Sequence, residues 1–558
     1  MSGGRGTGAP SRDEAQAQTG LERCNKSPRH RCADLHIVLL LQKAAPQERI
    51  PCLAFPTRRP ERFGARSVHR PRVSRRNSIQ PHEVPDTMDG FLTAAQWIIP
   101  IAMVPVAAHG HSPVGALAWL LFIFFKPWAG LILYFLFGTN LVMRRLTKSY
   151  CQRLREVRSF SDLAIMEPHV FGLSSEQTEH RLAKMTERLA CMPILQGNEV
   201  EFIDNGFAVI DRMIADIGKA RDHVHLLFYI FNDDEVGRRV AEALAGAAAR
   251  GVPCRVVVDA FGSRSLNGSL GEWMVKRGID FQTLMSINPF RRHLTRLDLR
   301  NHRKLAVIDG TIAYTGSMNI ETKDYDQGRA EAWHDLMVRV TGPVVMQLQL
   351  VFGEDWYLAT DKLLEGPGIY PVLDRGGTVP MQAVPTGPMD PTTVLRDLLI
   401  AAVSGARERI IITSPYFIPD ESLRVALHLA SLRGVSVELV IPFNADHPVV
   451  GAVARAHFEC LIDGGVNIYF HRGVLHAKTM SVDDEVSLVT TANFDRRSLF
   501  LHSELSLFLY GREVTARLRD LQSKYIAHSD KVDPARWKRR SVIRRSRDEI
   551  LKLLSPVL

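Results

Sequence analysis

The sequence lacks the cysteine patterns that hold small domains together. Seven cysteines are scattered over 558 residues, and no two of them form a CxxC pair. Structural zinc sites and disulfide-rich domains both need closely spaced cysteines. The composition therefore argues against a disulfide framework and against a structural metal.

Most of the chain also lacks an excess of positive charge. The formal net charge is +10, but residues 1–87 hold 16 Lys and Arg against 8 Asp and Glu, a local +8. The remaining residues carry only 10 − 8 = +2. A protein that binds nucleic acid usually presents a strongly basic surface. We therefore expect no nucleic-acid partner.

Residues 1–87 are rich in Arg, Pro, Ser and Gly, and their one apolar run, LHIVLLLQKAA, is too short to span a bilayer. Three interpretations are open: a disordered basic arm, a targeting peptide, or sequence translated upstream of the true start. We favour the third, because Met88 is followed almost directly by an apolar segment. A transit peptide would also contain fewer acidic residues.

Two long apolar runs follow. Residues 91–108 contain no charge, and residues 114–137 contain only Lys126. At about 1.5 Å per residue, runs of this length reach roughly 27 and 36 Å, enough to cross a hydrocarbon core. The sequence thus predicts a two-helix transmembrane hairpin over residues 88–146. The alternative is a buried hairpin within a soluble domain.

The positions of the cations predict the orientation of this hairpin. Arg144, Arg145 and Lys148 follow the second run, Arg-rich sequence precedes the first, and the connecting HGHSP has no Lys or Arg. By the positive-inside rule, both ends should face the cytoplasm. We therefore expect the rest of the chain to work at the cytoplasmic face of a membrane.

The remaining sequence contains an internal duplication. HVHLLFYIF, DDEVGRRVAEALAGAAARG and PCRVVVDAFG predict a strand, a helix and a strand, and ERIIITSPYFIPDESLRVALHLASLRGVSVELVIPFNAD repeats this order. Such alternation predicts an α/β fold with mixed sheets flanked by helices. The expected parts are a connector (147–200), a first unit (201–365), a linker (366–391) and a second unit with a basic tail (392–558).

Each unit contains one copy of the motif HxKxxxxD. Residues two apart on a strand point to the same face, so each His and its Lys should project together. The Asp lies seven positions after the His, so strict alternation sends it to the other face and favours a structural role. If the two copies face each other, their His and Lys side chains would converge on one phosphate ester. The residues are His302, Lys304 and Asp309 in the first copy and His476, Lys478 and Asp483 in the second.

A family resemblance rests on these motifs. The double HxKxxxxD pattern resembles the phospholipase D superfamily, and the resemblance covers nearly the whole chain from Met88. Within the superfamily, the paired apolar runs and the stretches FYIFNDDEVG, SPYFIPD and NFDRRS are similar to bacterial cardiolipin synthases. The resemblance implies a multi-pass enzyme of the bacterial inner membrane. It also implies that no metal or other cofactor is needed, because the lysines supply the positive charge.

The resemblance also implies a role for each site residue. One histidine attacks phosphorus and the other protonates the departing alcohol; by analogy, His302 attacks and His476 carries the proton. The groups expected to bind the phosphate are Lys304, Lys478, Ser317, Asn319, Thr491 and Asn493. The carboxylates expected to orient the histidines are Asp335 and Glu504, with Glu331 as an alternative to Asp335. Two positions depart from the family: TTANFD replaces GSANLD, and His502 replaces an asparagine.

The implied activity is a transphosphatidylation that joins two phosphatidylglycerol molecules into cardiolipin and releases glycerol. The expected partners are phosphatidylglycerol, other anionic phospholipids and the membrane. Alternatives are a hydrolytic phospholipase D that releases phosphatidic acid, a phosphodiesterase or nuclease of the same superfamily, and a catalytically silent scaffold. The basic residues near the C-terminus, between Lys538 and Arg547, are expected to form a solvated or membrane-surface face.

Overall fold

The structure is a computed structural model, and it describes residues 87–108, 113–138, 163–172, 178–285, 299–322, 333–366, 368–373, 376–388, 393–445, 447–553 and 555. The chain forms two compact units, residues 1–138 and 139–558. Residues 1–86 of the segment predicted to lie upstream of the true start (1–87), and the alternative carboxylate Glu331, lie outside the described residues.

The described part of the first unit is helical. It consists of α1 (Thr87–Ala108), α2 (Pro113–Phe125), α3 (Pro127–Leu133) and a π-helical turn (Tyr134–Gly138). The second apolar run is not one helix, because Pro127 lacks a backbone N–H and forces Lys126 out of helical geometry. The Tyr134 hydroxyl donates to the Val106 carbonyl at 3.0 Å and ties the helices together.

Many apolar side chains of this unit point outward. Trp97, Ile101, Leu117, Phe125 and Ile132 are all exposed. Within the described ranges, no helix is both long enough and apolar enough to cross a membrane. The predicted transmembrane hairpin therefore stays a prediction.

The second unit is built around a mixed sheet, in which sixteen strands are described. The strands of its first half are β1 (Leu195–Ile203), β2 (Val224–Phe228), β3 (Cys254–Asp259), β4 (Asp280–Leu284), β5 (Arg300–Asn301), β6 (Lys304–Ile308), β7 (Ile312–Gly316), β8 (Trp333–His334) and β9 (Met337–Thr341). Those of its second half are β10 (Val379–Thr386), β11 (Arg409–Thr413), β12 (Ser436–Pro442), β13 (Asn467–His471), β14 (Val474–Leu475), β15 (Thr479–Val482), β16 (Val486–Thr490), β17 (His502–Tyr510) and β18 (Ser529–Lys531). Strands β8 and β14 form a separate two-stranded ladder.

The strand order confirms the duplication. The sheet runs β18-β13-β12-β11-β15-β16-β17-β10-β1-β9-β7-β6-β2-β3-β4, with β5 attached to β17. In each half, a parallel set (β2-β3-β4 and β11-β12-β13) joins an antiparallel set (β6-β7-β9 and β15-β16-β17). The halves meet where β1 pairs with β10. The expected pair of mixed sheets is thus joined into one.

Two predicted boundaries differ from the structure. Strand β10 lies inside the predicted linker, yet its residues 381–386 pair with β17 and it is mostly buried. Strand β1 begins inside the predicted connector. The sequence did not predict β10, because it contains Pro380 and Pro385 and proline within a strand usually indicates a turn or an edge.

Helices cover the sheet. They are α4 (Thr178–Ala190), α5 (Gly206–Lys219), α6 (Glu235–Ala249), α7 (Ser269–Val275), α8 (Val344–Thr360), α9 (Val394–Gly405), α10 (Glu421–Leu432), α11 (Pro448–Asp463), α12 (Arg496–Phe500), α13 (Arg512–Ala527), α14 (Pro534–Lys538) and α15 (Val542–Lys552). The predicted face of α6, with Val236, Val240 and Leu244, is buried as expected. Helix α8 is buried over most of its length beside the central strands.

Candidate active site

Each motif histidine lies on a short segment that crosses to the opposite half of the sheet. Strand β5 pairs in parallel with the start of β17, and the His302 N–H donates to the Ser503 carbonyl at 2.9 Å. Strand β14 pairs in the same way with β8, and the His476 N–H donates to the His334 carbonyl at 2.9 Å. Each histidine is therefore positioned by backbone of the other repeat.

The carboxylates are exchanged between the repeats in the same way. Nδ1 of His302 lies 3.1 Å from both oxygens of Glu504, and Nδ1 of His476 lies 2.7 Å from Oδ1 of Asp335. Both carboxylates are almost fully buried. The structure thus places the two predicted acids beside the histidines, each next to the histidine of the opposite repeat.

Two hydroxyl residues that were predicted to bind phosphate lie beside these carboxylates. The Thr491 hydroxyl donates to Glu504 at 2.5 Å and accepts from the Leu505 N–H at 2.9 Å. The Ser317 hydroxyl accepts from the Leu336 N–H at 2.9 Å, and its hydrogen bond to Asp335 helps to lower the pKa of that carboxyl. Both hydroxyls are buried and already bonded. Their hydrogen bonds help to position the acids, and their predicted role in phosphate binding stays a prediction.

The two lysines stand beside the histidines as strand alternation predicts. Nζ of Lys304 donates to the His302 carbonyl at 2.9 Å. Nζ of Lys478 donates to the His476 carbonyl at 2.9 Å and lies 2.9 Å from Nε2 of the same histidine. Burial first, and then the charges of both lysines, hold the pKa of His302 well below its usual value. The motifs of the two repeats thus converge on one site.

Burial and charge set the protonation of the other groups. Burial lowers the pKa of His476, although Asp335 opposes the change. Burial also lowers the pKa of Lys304 to about 7, although Glu504 opposes it. For Asp335, burial favours the neutral acid, but His476 and Lys478 together outweigh it and hold the pKa below its usual value. Near neutral pH His302 is therefore uncharged and Asp335 is ionised, and Asp335 favours the imidazolium form of His476 against the effect of burial.

The two asparagines lie two positions after the hydroxyl residues. The Asn319 amide donates to Glu321 at 3.3 Å. The Asn493 N–H donates to the Ser498 hydroxyl at 3.2 Å, while its side-chain oxygen has no hydrogen-bond partner among the described residues. A buried amide in this state can still take a ligand. Their predicted role in phosphate binding stays a prediction.

The two motif aspartates accept hydrogen bonds from backbone N–H groups, which supports the structural role that strand alternation favours for them. Each follows its motif lysine by five residues, about 16 Å along an extended chain. The Asp309 carboxylate accepts backbone N–H groups of Arg221, Asp222 and His223 at 2.8–3.1 Å. The equivalent Asp483 accepts three N–H groups at 2.8–3.0 Å, from residues 407–409. Both fasten the far end of the motif strand to a neighbouring loop.

Aromatic rings that the sequence did not single out line the site. The Tyr229 ring lies 4.8 Å from the His302 ring, and Nζ of Lys304 lies 5.4 Å from the Tyr229 ring centroid. The Trp333 ring lies 4.7 Å from the His476 ring. Trp333 precedes Asp335 by two positions, and Tyr229 follows strand β2, which pairs with the motif strand β6. Strand alternation from Asp335 and the pairing of β2 with β6 were therefore the patterns from which these two rings could have been predicted.

Three groups offer metal-ligand atoms within 4.8 Å of one another: His302, His502 and Glu504. Glu504 is already bonded to His302. Burial lowers the pKa of His502 to about 3, and the nearby charges of Arg497 and Lys304 contribute. A bound cation would be repelled by these same charges. The donor set therefore does not fit a resident metal, and metal-independent chemistry stays a prediction.

Comparisons with known proteins identify the family. Residues 213–356 and 399–524 match the family model described as cardiolipin synthase, PLD-like domain. Cardiolipin synthase A of Yersinia pseudotuberculosis serotype O:1b and that of Yersinia pestis are each 35% identical to this chain over 453 residues. The match covers 79% of this chain and 93% of each relative.

A solved structure is similar in fold. Phosphatidylserine synthase from Haemophilus influenzae Rd KW20 superposes with a TM-score of 0.53 at 14% identity, over 68% of this chain and 98% of that chain. At this identity the likeness concerns the fold alone. The extended match to the Yersinia proteins, together with the family model, carries the assignment: this chain belongs to the cardiolipin synthase family of phospholipase D-like proteins and is a phosphatidyltransferase.

Proposed function

We propose that this enzyme joins two phosphatidylglycerol molecules into cardiolipin and releases glycerol, through a phosphohistidine intermediate. One observation carries the proposal: two histidine–carboxylate pairs and two lysines converge on one site. A two-step displacement needs one nucleophile and one proton carrier, and these are the two roles that the pairs can fill.

In the first step, Nε2 of His302 attacks the phosphorus of phosphatidylglycerol. Glu504 accepts the Nδ1 proton, so the lone pair is on Nε2, and the low pKa keeps this ring uncharged and nucleophilic. The P–N bond forms as the bond from phosphorus to the glycerol oxygen breaks. His476 enters this step as the imidazolium that Asp335 favours, and it delivers its Nε2 proton to that oxygen while its Nδ1 proton stays on the hydrogen bond to Asp335.

In the second step, a hydroxyl of another phosphatidylglycerol attacks the phosphohistidine. His476 takes the hydroxyl proton, the new P–O bond forms, and the P–N bond to His302 breaks. Lys304, Lys478 and the asparagine amides would hold the non-bridging oxygens throughout, where fixed positive charge stabilises the transition state. The product is cardiolipin, and the enzyme returns to its starting state.

We also propose that the first unit anchors the enzyme in the bacterial inner membrane as a hairpin with both ends in the cytoplasm. Two observations support this anchoring: the outward-facing apolar side chains of α1–α3, and the cations that flank the two runs. A cytoplasmic catalytic unit would then meet phosphatidylglycerol in the inner leaflet.

Lipid mass spectrometry tests the activity. Expression in cells that lack cardiolipin should restore cardiolipin, and His302→Ala and His476→Ala variants should not restore it. Accumulation of phosphatidic acid instead would favour the hydrolase alternative. Acid-quenched reactions of the purified enzyme should carry phosphate on the His302 peptide. Phosphate on the His476 peptide would reverse the two roles, and single-step inversion at phosphorus would rule out the intermediate.

A further inference from the structure

The last helix of the catalytic unit, α15, presents an apolar face to the outside. Val542, Ile543, Ile550 and Leu553 are 66–82% exposed. At 100° per residue, these four positions fall within an arc of about 100° on one side of the helix axis. Exposed apolar residues on a surface are usually scattered singly, so an aligned set points to a partner.

The opposite side of α15 is fixed on the catalytic unit. The Asp548 carboxylate is buried and accepts from Arg540 at 2.8 Å. Arg545 bonds to Glu459 of α11 at 2.6 Å, and Leu551 packs against the second-repeat core. The Ser541 hydroxyl caps the first turn of the helix. The apolar face therefore points outward because the polar face is bonded inward.

The charge around this apolar face indicates which kind of partner it binds. Residues 534–553 contain eight Lys and Arg against two Asp and Glu, a net of +6, whereas residues 88–558 together carry only +2. A cationic helix with an exposed apolar face is the pattern of a helix that lies in a membrane interface. An anionic lipid surface matches both properties, since it attracts the arginines and accepts the apolar side chains.

Helix α15 packs on α11 of the second repeat. Arg545 of α15 bonds to Glu459 of α11, and Ser555, which follows α15, bonds to His457 of α11 at 2.9 Å. Phe443 and Val449, near the start of α11, are also exposed. Exposed apolar side chains therefore occur both on α15 and near the start of the helix that holds it.

We propose that α15 is an interfacial helix that docks the catalytic unit on an anionic bilayer. Val542, Ile543, Ile550 and Leu553 insert at the level of the lipid headgroups, and the neighbouring arginines contact lipid phosphates. The proposal rests on the proposed function in one respect, namely that the substrate is a membrane phospholipid. It adds a second membrane contact, separate from the N-terminal unit.

Hydrogen exchange of the full chain tests the docking directly. The enzyme is compared in nanodiscs of phosphatidylglycerol and phosphatidylcholine, in nanodiscs of phosphatidylcholine alone, and in detergent. We expect peptides that cover residues 542–553 to exchange more slowly only in the anionic nanodiscs. Equal exchange in all three environments would overturn the proposal. Protection that depends on protein concentration without lipid would also overturn it, because a second copy would then cover the face.

A matched pair of variants tests the consequence for activity. Ile543→Asp/Leu553→Asp places charge on the apolar face, and Leu429→Asp/Leu432→Asp makes the same change at exposed positions of α10. Turnover is measured on vesicles of phosphatidylglycerol and on a water-soluble p-nitrophenyl phosphodiester. The ratio of the two rates should fall about tenfold in the α15 variant and stay unchanged in the α10 variant. Equal ratios would contradict the docking role.

These outcomes are separable from a failure of the proposed function. If the wild-type enzyme releases phosphatidic acid from the vesicles instead of forming cardiolipin, the transfer reaction is wrong. The lipid-dependent protection of α15 and the change in rate ratio would still be measurable in that case.

Discussion

The two histidines at the centre of the site are bonded to partners far away in the sequence. Glu504 lies 202 positions from His302, and Asp335 lies 141 positions from His476. The sequence could predict which residues take part, because the repeated motif and the family resemblance mark them. It could not predict the exchanged pairing, since strand alternation acts within one strand, whereas the pairing depends on where β5 and β14 cross.

The hydroxyl residues illustrate the same limit. Ser317 and Thr491 have the right chemistry to bind phosphate, and their spacing from the motif is the same in both repeats. In the structure the Thr491 hydroxyl donates to buried Glu504, and the Ser317 hydroxyl bonds to the backbone of Leu336, next to buried Asp335. Residue type alone does not decide between a ligand and a buried carboxylate.

Changing one carboxylate at a time should separate the two histidine roles. Glu504→Gln removes the anion that orients the proposed nucleophile, so turnover of both good and poor leaving groups should fall, by about 10²–10⁴-fold. Asp335→Asn weakens His476 as the proton carrier, so only the turnover of substrates with a poor leaving group should fall strongly. The measurement compares p-nitrophenyl and alkyl phosphodiesters. The opposite pattern would assign attack to His476.

The pH profile should report on Lys304. Its pKa is lowered to about 7, mainly by burial, so raising the pH through 7 removes a positive charge from the site. The rate constant kcat/KM for a soluble anionic diester should therefore decrease above about pH 7. Lys304→Arg, which remains charged, should move this decrease to higher pH. A profile that is the same for both enzymes would exclude Lys304 as the titrating group.

At the level of secondary-structure elements, the two short motif strands and the aspartates that follow them hold the site in place. The motif His and Lys lie at or just before the start of β6 and β15, and Asp309 and Asp483 directly follow the same strands and bind backbone N–H groups there. Alternation correctly separated these aspartates from the His and Lys face, but it could not show that they bind backbone N–H groups. Strand β10 was missed because its prolines resemble linker sequence, although it pairs at the centre of the sheet.

Removing one of these aspartates should lower the stability of the fold and leave the reaction unaffected. Asp309→Ala leaves three backbone N–H groups without their acceptor, and Asp309 also has a positive φ of 52° that alanine adopts poorly. The free energy of unfolding in detergent should decrease by about 1–3 kcal/mol. Turnover per folded molecule on the soluble diester should be retained.

The control for this prediction is Asp530→Ala. Asp530 pairs with Arg472 at an exposed position, where solvent screens the ion pair, so its loss should change stability little. A loss of turnover in Asp309→Ala without a loss of stability would return this aspartate to the chemistry.

At the scale of the whole molecule, the chain combines an apolar helical unit with a catalytic unit. The sequence located the apolar runs and the duplication, because both depend on local patterns of hydrophobicity. It did not reveal the break at Lys126, where a local proline effect interrupts an otherwise uniform run. Nor did it reveal that the two repeats share one sheet through β1 and β10, which is a long-range pairing.

The proposed topology can be measured in intact cells. In a variant whose native cysteines are replaced by serine, Ser112→Cys should react with a membrane-impermeant thiol reagent from outside, because residue 112 falls in the loop between the runs. Glu408→Cys, at an exposed position of the catalytic unit, should react only after the membrane is opened. Labelling of residue 408 in intact cells would refute the topology.

The exchange of carboxylates also constrains how such a protein can arise. A single repeat carries a histidine but must borrow its carboxylate from a second repeat, so an ancestor with one repeat could have worked only as a pair of identical copies facing each other. Fusion of two copies into one gene removes the requirement that both halves stay identical. The present differences, Asp335 against Glu504 and Ser317 against Thr491, are changes that such a fusion permits. Division of labour between two once-equivalent histidines then becomes open to selection.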